Sequence, residues 1–199
     1  SSGAIQNAKI DNAGAMGAIA LLASTVSIDR VQINQSAALG LFVRHGSVDV
    51  HDLTVDGVRG EAGPNGESSQ GDAIHIRDAK ARIDVLIVKN ADGSGLFAGA
   101  GANVQLGRLD MDAPKHGAMV AEGSSTISAK NVTITSPRGP ALVAIDGGTI
   151  SVIDLRIDGD ADPQLWADCA AKAAIHIESM RPHPKELSSR CISVRGLNR

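Results

Sequence analysis

Short alternations of apolar and polar residues recur in one fixed pattern along almost the whole chain. Each copy has two apolar residues two positions apart, two intervening residues, and a second apolar pair with the same spacing. A partial copy opens the chain (Ile5-x-x-Ala8-x-Ile10) and another closes it (Ile192-x-Val194-x-x-Leu197). The complete copies are Val26-x-Ile28-x-x-Val31-x-Ile33, Val48-x-Val50-x-x-Leu53-x-Val55, Ala81-x-Ile83-x-x-Leu86-x-Val88, Val104-x-Leu106-x-x-Leu109-x-Met111, Ile127-x-Ala129-x-x-Val132-x-Ile134 and Ile150-x-Val152-x-x-Leu155-x-Ile157. Alternation with a period of two predicts β-strands with one buried face, and these runs are too short for amphipathic helices.

The spacing of the copies predicts a repeat fold. The second position of each copy is Ile5, Ile28, Val50, Ile83, Leu106, Ala129, Val152 and Val194, so successive copies are 23, 22, 33, 23, 23, 23 and 42 residues apart. The two long steps predict surface insertions at about 61–70 and about 161–189, both rich in Pro, Gly, Ser or charge. The remaining steps predict coils of 22 or 23 residues.

A third short apolar segment precedes each copy after the first, so that each coil offers three strands. These segments are residues 17–20, 40–43, 73–76, 95–98, 117–120, 141–144 and 174–177. Strands stacked in register about 4.8 Å apart place equivalent residues in aliphatic ladders along one axis. We therefore expect one all-β domain over 1–199, a single-stranded parallel β-helix of about eight coils with a C-terminal cap at about 161–199.

The three-stranded coil of 22 or 23 residues resembles the right-handed parallel β-helix of the pectin-lyase-like superfamily over almost the whole chain. The resemblance implies a right-handed winding. Two other solenoids fit the pattern less well: a left-handed hexapeptide helix requires a six-residue period, and leucine-rich repeats require an Asn ladder with fixed Leu spacing. Neither feature is present in the sequence.

Composition restricts both the core and the partners. Aromatic residues make up only 2% of the chain, so the predicted core consists of Val, Ile, Leu and Ala. A formal net charge of −3 gives no electrostatic basis for binding nucleic acid or anionic membranes. No apolar run reaches the length of a membrane span, and we expect a soluble fragment or mature product. Because Ile5 to Ile10 already fits the repeat, further coils or another domain are expected upstream in the parent protein.

The predicted cap contains both cysteines and the single Trp. Asp162 and Pro163 suit the start of a short helix carrying Trp166, which we expect to fill the end of the core, with a sugar-stacking platform as the alternative. Cys169 and Cys191 lack the spacing of a metal site and are expected to form a disulfide, which would indicate an extracellular, cell-surface or periplasmic location. Two buried free thiols remain the alternative.

Candidate binding residues lie at outward positions of the first strand in successive coils. Phe42, Arg44, His75 and Arg77 are expected side by side, with Asp72 after the first insertion. A basic pair beside a His has the chemistry to hold a uronate carboxylate and abstract a proton, so His75, Arg44 and Arg77 are weak catalytic candidates. No cofactor and no metal site are expected. The acidic pairs of polygalacturonase-like enzymes and the Asp-Pro-His-Asp signature of alginate epimerases are absent from the sequence.

An apolar stripe is also expected on this face, because an outward apolar row on a solenoid is typical of a docking surface. Its predicted members are Ile19, Leu21, Phe42, Phe97, Met119 and Val143 or its neighbours. These patterns favour a non-catalytic, secreted or cell-surface module that is structural and binds a glycan or a protein along its face. The alternative is a carbohydrate-active enzyme, lyase-like or epimerase-like, acting on an acidic polysaccharide.

Overall fold

The chain is an all-β parallel solenoid of about seven turns, with about 70% of the described residues in strands and almost no helix among them. The structure is a computed structural model, and it describes residues 1–14, 18–62, 68–69, 71–112, 115–158, 165–184, 187 and 189–195. Two parallel sheets run along the solenoid, one with eleven strands (sheet A) and one with seven (sheet B).

Sheet A holds the repeated double apolar pair. Many of its strands are long because one strand contains both pairs and the two residues between them. Most turns therefore have two strands, and the prediction of three strands in each coil is wrong for those turns. Its members are β1 (Ser2–Gln6), β2 (Lys9–Asp11), β4 (Thr25–Asp29), β5 (Val31–Ala37), β7 (Ser47–Arg59), β11 (Lys80–Ala91), β13 (Asn103–Asp112), β15 (Thr126–Thr135), β17 (Thr149–Asp158), β19 (Ala174–Arg181) and β20 (Ile192–Val194).

Sheet B holds the third segment of each turn. Its members are β3 (Ile19–Leu22), β6 (Leu39–Arg44), β10 (Asp72–Arg77), β12 (Ser94–Gly99), β14 (Gly117–Ala121), β16 (Leu142–Ala144) and β18 (Leu165–Ala167). Within the first predicted insertion, β8 (Glu61–Ala62) and β9 (Ser68–Ser69) pair as an antiparallel hairpin, while residues 63–67 and 70 lie outside the described residues. A short 3₁₀ helix, Cys169–Ala171, connects β18 to β19.

The core consists of aliphatic ladders, as the repeat predicts. Val50, Ile83 and Leu106 are directly opposite one another in register, and the same line continues in both directions. A second ladder joins Leu53, Leu86 and Leu109, none of which exposes any surface to solvent. Since a fully buried aliphatic side chain contributes about 1.5–3 kcal/mol, these ladders are the main stabilising term of the fold.

One residue in a left-handed backbone conformation lies at or near the end of the second apolar pair's strand in each of the first four turns. Asn12, Gln35, Gly57 and Asn90 occupy this position, with φ values of 56°, 53°, 76° and 52° respectively. Asn and Gly adopt this conformation at the least cost among residues, which explains three of these four choices. The chain therefore turns the same corner in each of these turns with the same backbone geometry.

The prediction that Ile19, Leu21 and Met119 point outward is wrong. Ile19 and Leu21 lie opposite the buried Leu41 and Val43, and Met119 is fully buried opposite Leu96. Both positions of each alternation are apolar in these strands, so the sequence does not distinguish the two faces, and an error of one residue exchanges them. The outward row of sheet B instead contains Ala20, Phe42, His75, Phe97, Val120, Val143 and Trp166.

The prediction of a helix around Trp166 is also wrong, because Trp166 lies on strand β18 opposite Val143. Its side chain is 53% exposed and therefore does not fill the core. Asp162 and Pro163 lie outside the described residues. The segment 174–177 belongs to sheet A rather than to sheet B, since Ile175 and Ile177 continue the ladders of Ile150 and Val152. The range predicted as the second insertion thus includes strands β18 and β19 of the solenoid.

Candidate functional site

The residues predicted to form a site on sheet B lie together on two neighbouring strands. His75 is opposite Phe42, and Arg77 is opposite Arg44, as the repeat predicts. Asp72 begins the same strand as His75 and Arg77. All five predicted ligand-binding residues are therefore within one rung of each other, and their role in binding stays a prediction.

His75 is held in place on every side that the structure describes. Its Nδ1 atom donates a hydrogen bond to Asp72 Oδ2 at 2.9 Å, and Asp72 Oδ1 accepts a bond from the Ser94 backbone N–H at 2.7 Å. The imidazole stacks on Phe97 with ring centroids 4.4 Å apart and 15° between the planes. Phe42 lies on the other side at 5.6 Å in a tilted arrangement. Because only 2% of His75 and 5% of Asp72 are exposed, this pair has the surroundings of a structural element.

Arg44 and Arg77 are exposed at the ends of their strands and carry like charges on adjacent rungs. The residue after each Arg forms a contact across the same two turns, where His45 Nδ1 lies 2.7 Å from Asp78 Oδ2. The carboxylate of Asp78 thus places one negative charge next to the two positive charges. The arrangement has the geometry to attract an anionic group between the two guanidinium groups. Proton transfer by His75 to such a group would require the buried imidazole to become accessible.

A larger surface feature lies on the outer face of sheet A, where the sequence did not predict a site. Two rows of outward residues from five successive turns line a cavity of about 480 Å³, which we call the sheet A groove. One row contains Arg82, Gln105, Ser128, Ser151 and His176, and the other contains Asp84, Gly107, Lys130, Ile153 and Glu178. A second cavity of about 680 Å³ shares Arg82 and Gln105 and continues towards Ser2.

The charges of the sheet A groove balance each other. Arg82 Nε lies 3.5 Å from Asp84 Oδ1, and Asp84 Oδ2 also bonds His51 Nδ1 at 3.0 Å from the preceding turn. The hydrogen bond with His51 holds the pKa of Asp84 below its ordinary value, and the charge of Arg82 lowers this pKa further. Lys130 and Glu178 add one charge of each sign and make no ion pair with another described residue.

The floor of the groove is polar and its side is partly apolar. Gln105 and Ser128 are exposed at its centre, and Ile153 is 50% exposed beside them. Hydroxyl and amide groups both donate and accept hydrogen bonds, whereas an exposed aliphatic side chain offers a contact for a C–H surface. The groove can therefore hold a ligand that alternates hydroxyl groups with apolar patches.

The C-terminal end of the groove is fixed to the last turn. His176 Nδ1 hydrogen bonds with Ser193 Oγ at 2.8 Å on strand β20. The predicted disulfide between Cys169 and Cys191 is present, with Cα atoms 5.6 Å apart, and it joins the segment after β18 to the residue before β20. This result confirms the prediction and excludes the alternative of two free thiols.

Within the described ranges, no group of three His, Cys, Asp or Glu side chains is arranged to bind a metal ion. The described part of the chain also contains no helix with the length and apolar character needed to cross a membrane.

The sequence feature that marks the groove is the single residue between the two members of the first apolar pair in each copy. Gln105, Ser128 and Ser151 are small or medium polar residues at equivalent positions. Comparisons of this chain with family models, with curated proteins and with solved structures gave no match. Its function must therefore be argued from its own geometry.

Proposed function

We propose that this chain is a non-catalytic binding module that holds an extended glycan in the sheet A groove. The observation that supports the proposal most directly is the continuity of the groove across five successive turns from Arg82 to His176. Four steps of about 4.8 Å give it a length of about 19 Å along the solenoid axis. This length suits a short stretch of polysaccharide better than a single sugar.

The chemistry of the groove favours a glycan without a large net charge. Arg82 and Lys130 are balanced by Asp84 and Glu178, so a polyanion gains no net attraction. Gln105, Ser128 and Ser151 offer hydrogen bonds on the floor, and a hydroxyl-rich chain can replace the water bound there. The exposed side chain of Ile153 offers an apolar contact for the C–H face of a sugar ring.

The environment of His75 supports a role without catalysis. A general base must reach the proton that it removes, and the imidazole of His75 is buried between two Phe rings with Nδ1 bonded to Asp72. The alternative function is a lyase or epimerase that acts on an acidic polysaccharide, with Arg44 and Arg77 binding its carboxylate. No observation on the described residues favours this alternative over the binding module.

Calorimetric titration with neutral and acidic oligosaccharides tests the proposal. The probes are cellohexaose, xylohexaose and laminarihexaose on the neutral side, and oligogalacturonate and oligoalginate on the acidic side. We expect at least one neutral chain to bind with a one-to-one stoichiometry and with weak dependence on salt. Absence of binding to all five probes, or binding of the acidic chains alone, would contradict the proposal.

A pair of variants on one strand locates the ligand. Ser128→Trp fills the centre of the groove, whereas Thr135→Trp adds the same side chain at another exposed position of strand β15, outside the groove. We expect Ser128→Trp to weaken binding at least tenfold and Thr135→Trp to leave it unchanged. Incubation with alginate, pectate and chondroitin, followed by ultraviolet absorbance for unsaturated uronate ends, tests the lyase alternative, and a positive result would refute the non-catalytic role.

Two wider expectations accompany this proposal. The disulfide favours an oxidising location, and we propose a secreted, cell-surface or periplasmic protein. The fold is a parallel β-solenoid, and membership of the pectin-lyase-like superfamily is proposed from the coil length of 22 or 23 residues alone.

A further inference from the structure

A gap in a regular row of side chains marks a second possible binding site, at the corner where strands of sheet A end. Gln35, Gly57 and Asn90 occupy equivalent left-handed positions in three successive turns. Only Gly57 among these three lacks a side chain. An added Cβ at Gly57 would make only ordinary van der Waals contact with Gln35, at 3.6 Å, so there is room for a group at this position.

The gap is part of a cavity of about 520 Å³, which we call the corner cup. Its lining comes from three turns and consists almost wholly of polar side chains. The lining residues are Asn34, Gln35, Asp56, Gly57, Arg59, Asn90 and Asp92. None of the described residues that line the cup has a large apolar side chain, which disfavours an aromatic or aliphatic ligand.

The hydrogen bonds within the cup fix two side chains and leave groups available to a ligand. Asn90 Nδ2 donates to Asp56 Oδ1 at 2.8 Å, which holds an amide beside a carboxylate. Among the described residues, Asp56 Oδ2 and the second N–H of Asn90 make no other hydrogen bond, which leaves one acceptor and one donor on neighbouring side chains. Two adjacent hydroxyl groups on a ring can donate to the former and accept from the latter.

The charges around the cup also cancel. Asp92 is ion-paired with Lys115, and the hydrogen bond from Lys115 holds the pKa of Asp92 below its ordinary value, with smaller effects from the Gly60 backbone N–H and from the charges of Lys115 and Arg59. Asp56 and Arg59 contribute one charge of each sign. A ligand that is neutral and rich in hydroxyl groups therefore suits the cup better than an anion or a cation.

We propose that the corner cup binds one neutral sugar unit through its vicinal hydroxyl groups, at Asp56 and Asn90, in the space left by Gly57. The site is separate from the sheet A groove, because none of its residues lines that groove. The proposal does not depend on the function of the groove.

Chemical-shift mapping by NMR tests the proposal with methyl α-mannopyranoside, methyl β-galactopyranoside and methyl β-glucopyranoside. We expect at least one of these sugars to shift the backbone signal of Gly57 and the side-chain amide signals of Gln35 and Asn90. Asp56→Asn removes the charged acceptor while retaining the shape, and it should weaken binding several-fold. The proposal is overturned if none of the three sugars shifts these signals at 50 mM, a concentration about fifty times a typical weak dissociation constant of about 1 mM.

A matched pair of glycine substitutions distinguishes occupation of the cup from general effects. Gly57→Asn fills the gap with the residue that the chain itself uses at Asn90, and Asn tolerates this backbone conformation. Gly101→Asn makes the same change at another left-handed glycine with open space around it, outside the cup. Gly57→Asn should weaken sugar binding at least tenfold, and Gly101→Asn should leave it unchanged. Equal effects of both changes, or no effect of Gly57→Asn, would contradict the proposal.

Discussion

Replacement of Leu86 by Ala is the strongest test of the ladder that supports both binding surfaces. Leu86 is completely buried and lies between Leu53 and Leu109 of the neighbouring turns, which are also completely buried. The change removes the side-chain contacts that Leu86 makes with the turn before it and the turn after it. It leaves a cavity that the stacked strands cannot easily close. Measured Leu→Ala changes in cores cost about 2–5 kcal/mol, and we expect about 3 kcal/mol here.

Urea denaturation measures this loss. With a slope of about 2 kcal/mol/M, the expected loss lowers the midpoint by about 1.5 M. Because repeat arrays can lose cooperativity, far-UV circular dichroism should be recorded together with the fluorescence of Trp166 near the C-terminal end. The control is Ile87→Ala, one residue along β11 at a half-buried outward position, with an expected loss of at most about 1 kcal/mol. A larger effect for Ile87→Ala than for Leu86→Ala would refute the assignment of faces.

Three further predictions concern ionic contacts and the disulfide. His75→Ala leaves the carboxylate of Asp72 buried without its partner and should cost about 3 kcal/mol in urea denaturation, whereas Asp72→Asn combined with His75→Phe should recover much of this loss. Since the pKa of Asp84 is lowered in the folded state, its contribution to stability is present above the ordinary carboxyl pKa of about 4 and disappears as the pH falls through the lower, folded-state pKa. Asp84→Asn should therefore flatten the acid side of the curve of stability against pH, and an unchanged curve would contradict the role of the His51 contact. Reduction of the Cys169–Cys191 disulfide should lower stability by about 3 kcal/mol, given 22 residues of separation, and unchanged thermal unfolding with dithiothreitol would oppose this expectation.

The sequence was sufficient to predict the solenoid because its strongest signal is a repeated one. An alternation such as Val48-x-Val50 is weak evidence alone, but its recurrence at nearly constant spacing leaves few folds that can bury every copy. The same reasoning correctly aligned Phe42 with His75 and Arg44 with Arg77, since polar residues mark the outward positions of those strands.

The wrong predictions concern segments in which polar residues do not distinguish the outward face of a strand from the buried face. In the segments around Ile19 and Met119, apolar residues occupy both faces, and packing against the neighbouring strand decides which face is buried. The helix-forming residues around Trp166 predict a helix, yet pairing with Val143 on the adjacent strand determines its structure.

The sheet A groove was not predicted because its shape depends on the path of the backbone as well as on side-chain type. Ser128 and Ser151 are ordinary exposed residues in the sequence, and only their alignment on successive strands gives a continuous floor. The corner cup depends in the same way on Gly57, whose significance becomes apparent once Gln35 and Asn90 are seen at equivalent positions.

A distance measured between spin labels on one outward row tests the central claim most directly, namely that equivalent residues of successive turns form a straight line. Ser27 and Ser151 are separated by five register steps through Asp49, Arg82, Gln105 and Ser128. Replacement of both by Cys, with the native disulfide left intact, allows labelling for double electron–electron resonance. Stacking at about 4.8 Å per turn predicts one narrow distribution centred near 24 Å, allowing for the length of the labels. A broad distribution, or one centred more than about 10 Å from this value, would contradict the stacked register on which both binding surfaces depend.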